Sequence, residues 1–296
     1  MPFSSLRAIF LLIPLNYLAN VVKRAEYSSR LAGYFFMLLL IADWALWNTV
    51  PLRHFNQNKE AIMNKTVMLE SVMHLVTPFD YKYNIVNWAI MYALGAYLGF
   101  SGCIIIVTFN VLSFIFVFHL IGHVQILKHR FRTEFENTLS DQETEKKLIT
   151  LIKHHNFIIQ MFEDTQKAFG YNVSANYCHN LLCDSLLMYE IMFAEKKEAY
   201  VLMFTVFLGG LILLSLVLEE IRRESDDLAD VIYNIPWEEM SVSNQKTVMM
   251  ILARSQPPLE FIAAGGLRAG VRPAISILKS TFSYYVMLKT SINGEE

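Results

Sequence analysis

From Tyr83 to Leu127 the chain runs 45 residues without an Asp, Glu, Lys or Arg. A run of that kind marks a membrane-crossing segment. As a helix rising ~1.5 Å per residue, it is far longer than a hydrocarbon core of ~30 Å requires. Two shapes meet the constraint: a tight hairpin of two crossings, or one helix that projects well past the bilayer. No proline and no Gly/Asn/Pro turn cluster breaks the middle of the run, apart from Asn110. The reading adopted is one long helix.

Other apolar stretches fall at about 3–22, 31–52, 168–193, 199–218 and 273–290, the first being the weakest because Arg7 and Pro14 interrupt it. Hydrophobic residues make up 54% of the chain and charged residues 18%, with mean hydropathy +0.35. A soluble domain carries about a quarter charged residues. The expected fold class is therefore all-α: a polytopic transmembrane helical bundle, six crossings, one domain over 1–296. Basic residues orient it. Segments 23–30, 128–167 and 219–272 are rich in Lys and Arg, whereas the alternate loops carry Arg53, Lys59, Lys65 and Lys82, or Lys196 and Lys197. The richer set is expected in the cytoplasm, which puts both chain ends outside. Cytoplasmic helices are expected at about 128–167 and 219–270, with Ser243 or Asn244 capping one that runs through Met249, Met250 and Leu252. These helices are half-apolar, and a partner surface explains that better than a solvated tail.

A net charge of −2 gives no pull toward nucleic acid. Cys103, Cys178 and Cys183 are an odd set in apolar context, which is not a disulfide framework. No cleavable leader is expected, because Arg7 sits inside the first apolar stretch and no A-x-A site follows it. His119 and His123 stand at i and i+4, a metal-ligand spacing, and His154–His155 follow. Membrane di-iron enzymes need several such boxes, so these histidines are read as polar contacts at cytoplasmic helix ends. No G-x-S-x-G, P-loop or C-x-x-C is present. Neither enzyme activity nor a cofactor or metal is expected.

Candidate site residues lie in the apolar stretches. Asp43 is a carboxylate inside a crossing, beside Trp44 and near Trp47. It is either a functional group or the partner of a neighbouring helix, and the two tryptophans also suit an interfacial belt. Trp88, Met91, Tyr92 and Gly95 recur at helical spacing, with Phe204 and Phe207 on another crossing. They suit a cavity for a small volatile ligand, although ordinary helix packing gives the same pattern. Gly95, Gly99 and Gly102 repeat at intervals that permit close helix approach. Glu190 borders the end of its crossing, and Asp184 lies deeper. Asn64-Lys65-Thr66 is a glycosylation acceptor in a loop read as external, whereas Asn172-Val173-Ser174 falls at a crossing and is read as accidental. The last crossing carries Ser276, Lys279, Ser280, Thr281, Ser283 and Thr290. Hydroxyls at membrane depth face protein or water, so this helix is read as bordering a conduction path.

The carboxyl-terminal third adds a connected pattern. Ser225, Leu228, Ala229, Ile232 and Tyr233 precede Pro236-Trp237, followed by Pro258, Ala264-Gly265 and Ile277-Leu278-Lys279 with Ser283-Tyr284. Upstream stand Pro78-Phe79-Asp80 and Ile126-Leu127 with Arg130 and Arg132. The set resembles the insect odorant receptors, odour-gated channels with seven crossings. The final helix reads Ser283-Tyr-Tyr-Val-Met-Leu-Lys289 and lacks the Gln-Phe of the related gustatory receptors. The resemblance implies a subunit of a non-selective cation channel that binds small volatile apolar molecules. It implies four subunits including a shared co-receptor, joined through cytoplasmic helices in the plasma membrane of olfactory dendrites. It places ligand among the candidates Asp43 to Phe207 above. The pore is placed along Ser280, Ser283, Met287 and Thr290, with the constriction near the last two. Against the seven family crossings the shortfall falls at the front, the second family crossing being reduced to 3–22. A gustatory-type channel and a shortened, non-functional receptor are the alternatives. A G-protein-coupled receptor needs a cytoplasmic carboxyl end, and a transporter needs internal repeats; neither fits.

Overall fold

A computed structural model describes residues 15–72, 76–135, 140–193, 197–263 and 266–293. Among them the chain is helical: α1 (Leu15–Gln57), α2 (Lys59–Met63), α3 (Ile85–Thr133), α4 (Asp141–Phe193), α5 (Glu198–Tyr233), a single 3-10 turn (Trp237–Glu239), α6 (Val242–Ser255) and α7 (Val271–Asn293). The uncharged run is one helix, 49 residues long. Asn84 starts it, its side-chain oxygen accepting the Val86 and Asn87 N–H groups at 3.0 and 3.3 Å. Arg130 and Arg132 close it, cations against the carbonyl end of the helix dipole. At the start of α4 the Glu143 carboxylate reaches back to accept the Ser140 N–H at 3.3 Å, one half of a capping box, and the Ser140 hydroxyl at 2.8 Å.

Two expectations need correction. Residues 23–30 are not a loop but an interior stretch of α1. Their charges were read as a break, yet the stretch holds no proline or glycine. Glu26 and Arg30 pair across one turn at 3.4 Å, and the Ser29 hydroxyl donates to Ala25 O at 2.5 Å. The crossings expected at 3–22 and 31–52 are thus one helix over the described residues, and 1–14 lie outside them. The count of six crossings, and the external amino end drawn from it, lose their basis. The second correction is smaller: α6 is capped at Ser241, so Ser243 and Asn244 lie inside it. Asn244 is buried and donates to Asp141 O at 3.2 Å.

Among the described residues, three helices are long and apolar enough to cross a membrane: Asn16–Gln57, Ile85–Thr133 and Tyr200–Tyr233. Only 28–39% of their apolar windows is buried within the chain. The outward residues include Leu38, Val86, Ile90 and Ile105, each more than half exposed. A water-soluble bundle shows charge on that face; this one shows hydrocarbon. The molecule is a polytopic membrane bundle.

The chain divides into two compact units. Unit 1 is Met1–Ala32, Val111–Leu181 and Leu211–Phe282, and unit 2 is Gly33–Asn110, Leu182–Gly210 and Ser283–Glu296. In unit 1, α3 buries Phe114, Val117, Leu120, Val124, Leu127 and Phe131 at three- and four-residue steps, one helical stripe. Leu148, Leu151 and Ile158 of α4, Leu211, Leu218 and Ile221 of α5, and Val248 and Ile251 of α6 complete this core. Burial of each such side chain contributes about 1.5–3 kcal/mol. Unit 2 has smaller cores, one around Phe36, Leu40 and Val206 and another around Ile62, Leu69 and Trp88.

Candidate functional site

All nine residues expected around a ligand, from Asp43 to Phe207, fall in unit 2. Trp88 is buried between Phe55 and Tyr92, with ring centroids 5.3 and 5.5 Å away, and its indole N–H donates to Glu70 O at 2.5 Å. Tyr92 reaches α1, its hydroxyl donating to Asn48 O at 2.9 Å. Trp44 donates to Ala96 O at 3.0 Å and tilts against Phe100, and Trp47 meets Tyr200 edge-on at 5.3 Å. Met91 and Gly95 are buried, Phe204 is half-buried, and Phe207 packs on the Phe36–Val206 core. The two tryptophans of α1 are therefore tied to α3 and α5 side chains and backbone. Indole and phenol groups here bond carbonyls that the helix ladder leaves with a free lone pair.

The same unit holds buried polar atoms that have no partner among the described residues: Asp43 Oδ1, Trp47 Nε1, Asn48 Oδ1 and both carboxylate oxygens of Asp184. Asp184 is fully buried, which rules out a marker of exit from the membrane. Buried groups of this kind are rare and call for a function or an ordered water.

At Gly99 and Gly102 the glycine repeat makes no close approach. A β-carbon at Gly99 would sit 3.5 Å from Trp44, ordinary contact, and one at Gly102 would meet nothing within 4 Å. The tight approaches are elsewhere: a β-carbon at Gly210 would fall 2.8 Å from the Phe36 ring, and one at Gly122 3.3 Å from Val21. Spacing alone does not distinguish these positions.

Helix α7 has two faces. Ala274, Ile277 and Thr281 are buried on one side. Ser276, Ser280, Ser283, Met287 and Thr290 are exposed on the other, separated by four, three, four and three residues. That spacing keeps them within one stripe of a helix. Lys279 and Tyr284, expected from the carboxyl-terminal pattern, are exposed beside it. Thr290 turns its hydroxyl back to Val286 O and Met287 O, at 3.1 and 2.9 Å.

The remaining pattern residues gather in unit 1. Ser225 accepts the Leu259 N–H at 2.8 Å. Pro258 lines a cavity of about 200 Å³ with His155, Phe162, Ser225 and Arg254. Tyr233 and Trp237, following the exposed Pro236, line a groove of about 430 Å³ with Val242, Lys246, Met249 and Leu252. Ala264 and Gly265 lie outside the described residues. Of the histidines read as making polar contacts, two meet each other, His123 Nδ1 standing 3.3 Å from His154 Nε2. Burial, with His123 and then Arg130 beside it, pushes His154 down to about 3, and burial with Arg254 pushes His155 to about 4. In unit 2, Asn64 is the exposed C-cap of α2, and Lys65 after it takes φ +59°.

Residues 20–282 match the family model described as 7tm Odorant receptor. Odorant receptor 30a of Drosophila melanogaster is 22% identical over 225 residues, 73% of this chain and 58% of that protein. Odorant receptor 10 of Aedes albopictus is 24% identical over 70% of this chain and 56% of its own length. The chain therefore spans less than two thirds of these relatives. The structure of the insect olfactory receptor OR5 from Machilis hrabei in complex with eugenol matches 97% of this chain and 74% of that one, with TM-score 0.80 at 16% identity. A structure of the same receptor described without eugenol gives 0.73.

Proposed function

The chain belongs to the 7tm odorant receptor family, and on that footing we propose that it is one subunit of an odour-gated, non-selective cation channel. Its partners are a shared co-receptor, in a heterotetramer, and a small volatile odorant. Its place is the plasma membrane of olfactory sensory dendrites. The observation that carries the reading is the two-faced last helix: Ser276, Ser280, Ser283, Met287 and Thr290 on an uncovered stripe, Ala274, Ile277 and Thr281 on the buried one. Facing lipid, the stripe would leave Ser276, Ser280 and Ser283 unhydrated; around a shared axis it borders water.

Two further observations support the parts of this reading. The aromatic layer of unit 2 offers Trp88, Tyr92 and Trp47 as rigid apolar walls with a few aimed polar groups, the make-up of small-molecule sites. Basic residues gather in unit 1, which supports a cytoplasmic placing for its helix ends. There the groove beside Tyr233 and Trp237, with Met249 and Met250 each 64% exposed, supplies apolar surface for assembly. An odorant opens such a channel only by binding the open form more tightly than the closed form.

The test is to record odour-evoked current from cells expressing the chain with and without the co-receptor, eugenol being one probe. Cysteines placed singly at 276, 280, 283 and 287 are then challenged with a charged thiol reagent. Current that needs both chains and is altered by reagent at these positions, but not at 274 or 277, supports the reading. Absence of odour-evoked current, or reactivity that ignores the stripe, refutes it.

A further inference from the structure

Residues 256–270 lead from α6 into α7, and neighbouring helices hold this strap by its backbone. Leu259 N–H donates to Ser225 Oγ of α5 at 2.8 Å. Gln166 of α4 takes both sides of Ile262, accepting its N–H at 3.0 Å and donating to its carbonyl at 2.6 Å. At the far end Gly270 N–H donates to the Tyr177 hydroxyl of α4 at 3.0 Å. Gln166 and Tyr177 are eleven residues apart, three helical turns, and so share one face of α4. The strap also folds on itself, Ala269 N–H donating to Phe261 O at 2.7 Å, with Phe261 buried edge-on against Phe162.

The Gly270 end is the most constrained. Its φ is +149°, a region that L side chains rarely adopt. A β-carbon there would stand 2.7 Å from Glu219 Oε2. Glu219 has little room to yield, since Arg222 holds its other oxygen at 2.6 and 2.7 Å. Tyr177 contributes one proton and accepts one. Having accepted from Gly270 N–H, it donates to Gly270 O on the strap at 3.4 Å and stands at the same 3.4 Å from Ser215 Oγ on α5, a contact in which either hydroxyl can be the donor. Rotation of the hydroxyl therefore directs its proton to the strap carbonyl or to α5, and the bond from Gly270 N–H holds the phenol to the strap in either case. Two arrangements of matched geometry are what a switched contact needs.

We propose that Tyr177, assisted by Gln166, is a positioning residue of the last helix, carrying displacements of α4 and α5 to the stripe Ser280–Thr290. The proposal rests on the channel reading above. One net hydrogen bond is worth roughly a two- to tenfold change in an equilibrium constant. Tyr177→Phe keeps the ring and removes the hydroxyl; Gln166→Leu releases the middle of the strap.

Each variant is co-expressed with the co-receptor, measuring surface amount, the ratio of odour-free to saturating current, and EC50 for eugenol or another volatile that activates the wild type. The expected result is a shift of roughly two- to tenfold in EC50 or in the odour-free ratio at wild-type surface amount, in the same direction for both variants. Unchanged EC50 and ratio overturns the proposal. So does a fall in maximal current that only follows a fall in surface amount, since a fixed scaffold contact gives that pattern. Should Tyr177→Phe fail to reach the surface, Gln166→Leu decides alone. If the wild-type pair itself gives no odour-evoked current, the channel reading has failed first and the coupling with it.

Discussion

The contact between Lys128 and Glu224 lends itself to a quantitative test. Lys128 on α3 and Glu224 on α5 form an ion pair with side chains only 10% and 17% exposed. Gln125 donates to the second oxygen of Glu224 at 2.8 Å, whereas the other acid near Lys128, Asp227, is 62% exposed and 3.7 Å away. Exposed pairs contribute about 0–1 kcal/mol; this one is largely out of water. Glu224→Leu leaves an ammonium with one distant, solvated partner, and Lys128→Met leaves a carboxylate with one amide. Each should cost about 3 kcal/mol, the scale for breaking a buried pair from one side. The double variant removes both charges and fills the space with hydrocarbon, so its cost should fall short of the sum by about 2–3 kcal/mol. The assay is thermal unfolding of the detergent-purified complex followed by intrinsic fluorescence, where each single change lowers Tm by roughly 5–10 °C. Additivity of the two single costs within about 0.5 kcal/mol would show that the charges do not interact. Acid gives a second readout. Burial works to raise the Glu224 carboxyl, but the hydrogen bonds from Lys128 and Gln125 outweigh it and hold the group below its ordinary value. A depressed carboxyl stabilises above the unfolded carboxylate range and ceases to do so as pH falls through its folded value. Glu224→Gln should abolish that acid-sensitive component.

Trp88→Phe retains the stack between Phe55 and Tyr92 but leaves Glu70 O without its donor; a Tm loss worth about 1–2 kcal/mol is expected, together with a changed odorant EC50. Asp43→Leu removes a buried carboxylate whose Oδ1 has no partner among the described residues, so Tm should hold or rise while EC50 changes, and a large Tm loss would assign it a structural contact instead. Asn64→Gln should abolish a mobility shift produced by peptide N-glycosidase on protein from cells, since Asn64 is exposed in a segment read as external. His154 and His155, held near 3 and 4 by burial, stay neutral when folded while the unfolded chain takes up protons below about 6.5. Stability should therefore fall as pH drops from about 6.5 toward 4, and His155→Leu should flatten that slope in unfolding measured across the window.

What the sequence disclosed, it disclosed through local rules. An uncharged run without a breaker is a helix wherever it sits, so 83–127 was readable as one element and α3 is one element. Helix within 128–167 was readable from the spacing of Leu148, Leu151 and Ile158, but not its division between the end of α3 and the start of α4. The same reasoning misjudged 23–30, because charge was taken for an interruption, whereas charged side chains that reach solvent or pair along the helix leave its backbone bonds intact. Ser225 and Pro258 were recognisable as pattern but not as contacts. What they do depends on Leu259 N–H and on a cavity wall some thirty residues away in sequence. Tyr177 and Gln166 carried no signal at all, since a side chain that bonds a distant backbone N–H leaves no periodicity behind.

The last helix shows how far composition can go and where geometry must take over. Its polarity placed the hydroxyls against protein or water without saying which, and Thr281 is buried, with its hydroxyl unpartnered among the described residues. Thr290, though exposed, spends its hydroxyl on its own helix. On the channel reading proposed above, the residues left to hydrate a path are Ser276, Ser280 and Ser283, and the stripe then passes to Met287, a flexible thioether, and to a threonine already satisfied. A conduit built so is wet along its first turns and apolar toward Met287–Thr290. A ring of apolar groups excludes water at small radius and admits it after slight widening. Tilting α7 by its strap would act on that end with the longest lever arm, since the clamp at Gly270 and the apolar end lie at opposite termini of one continuous helix.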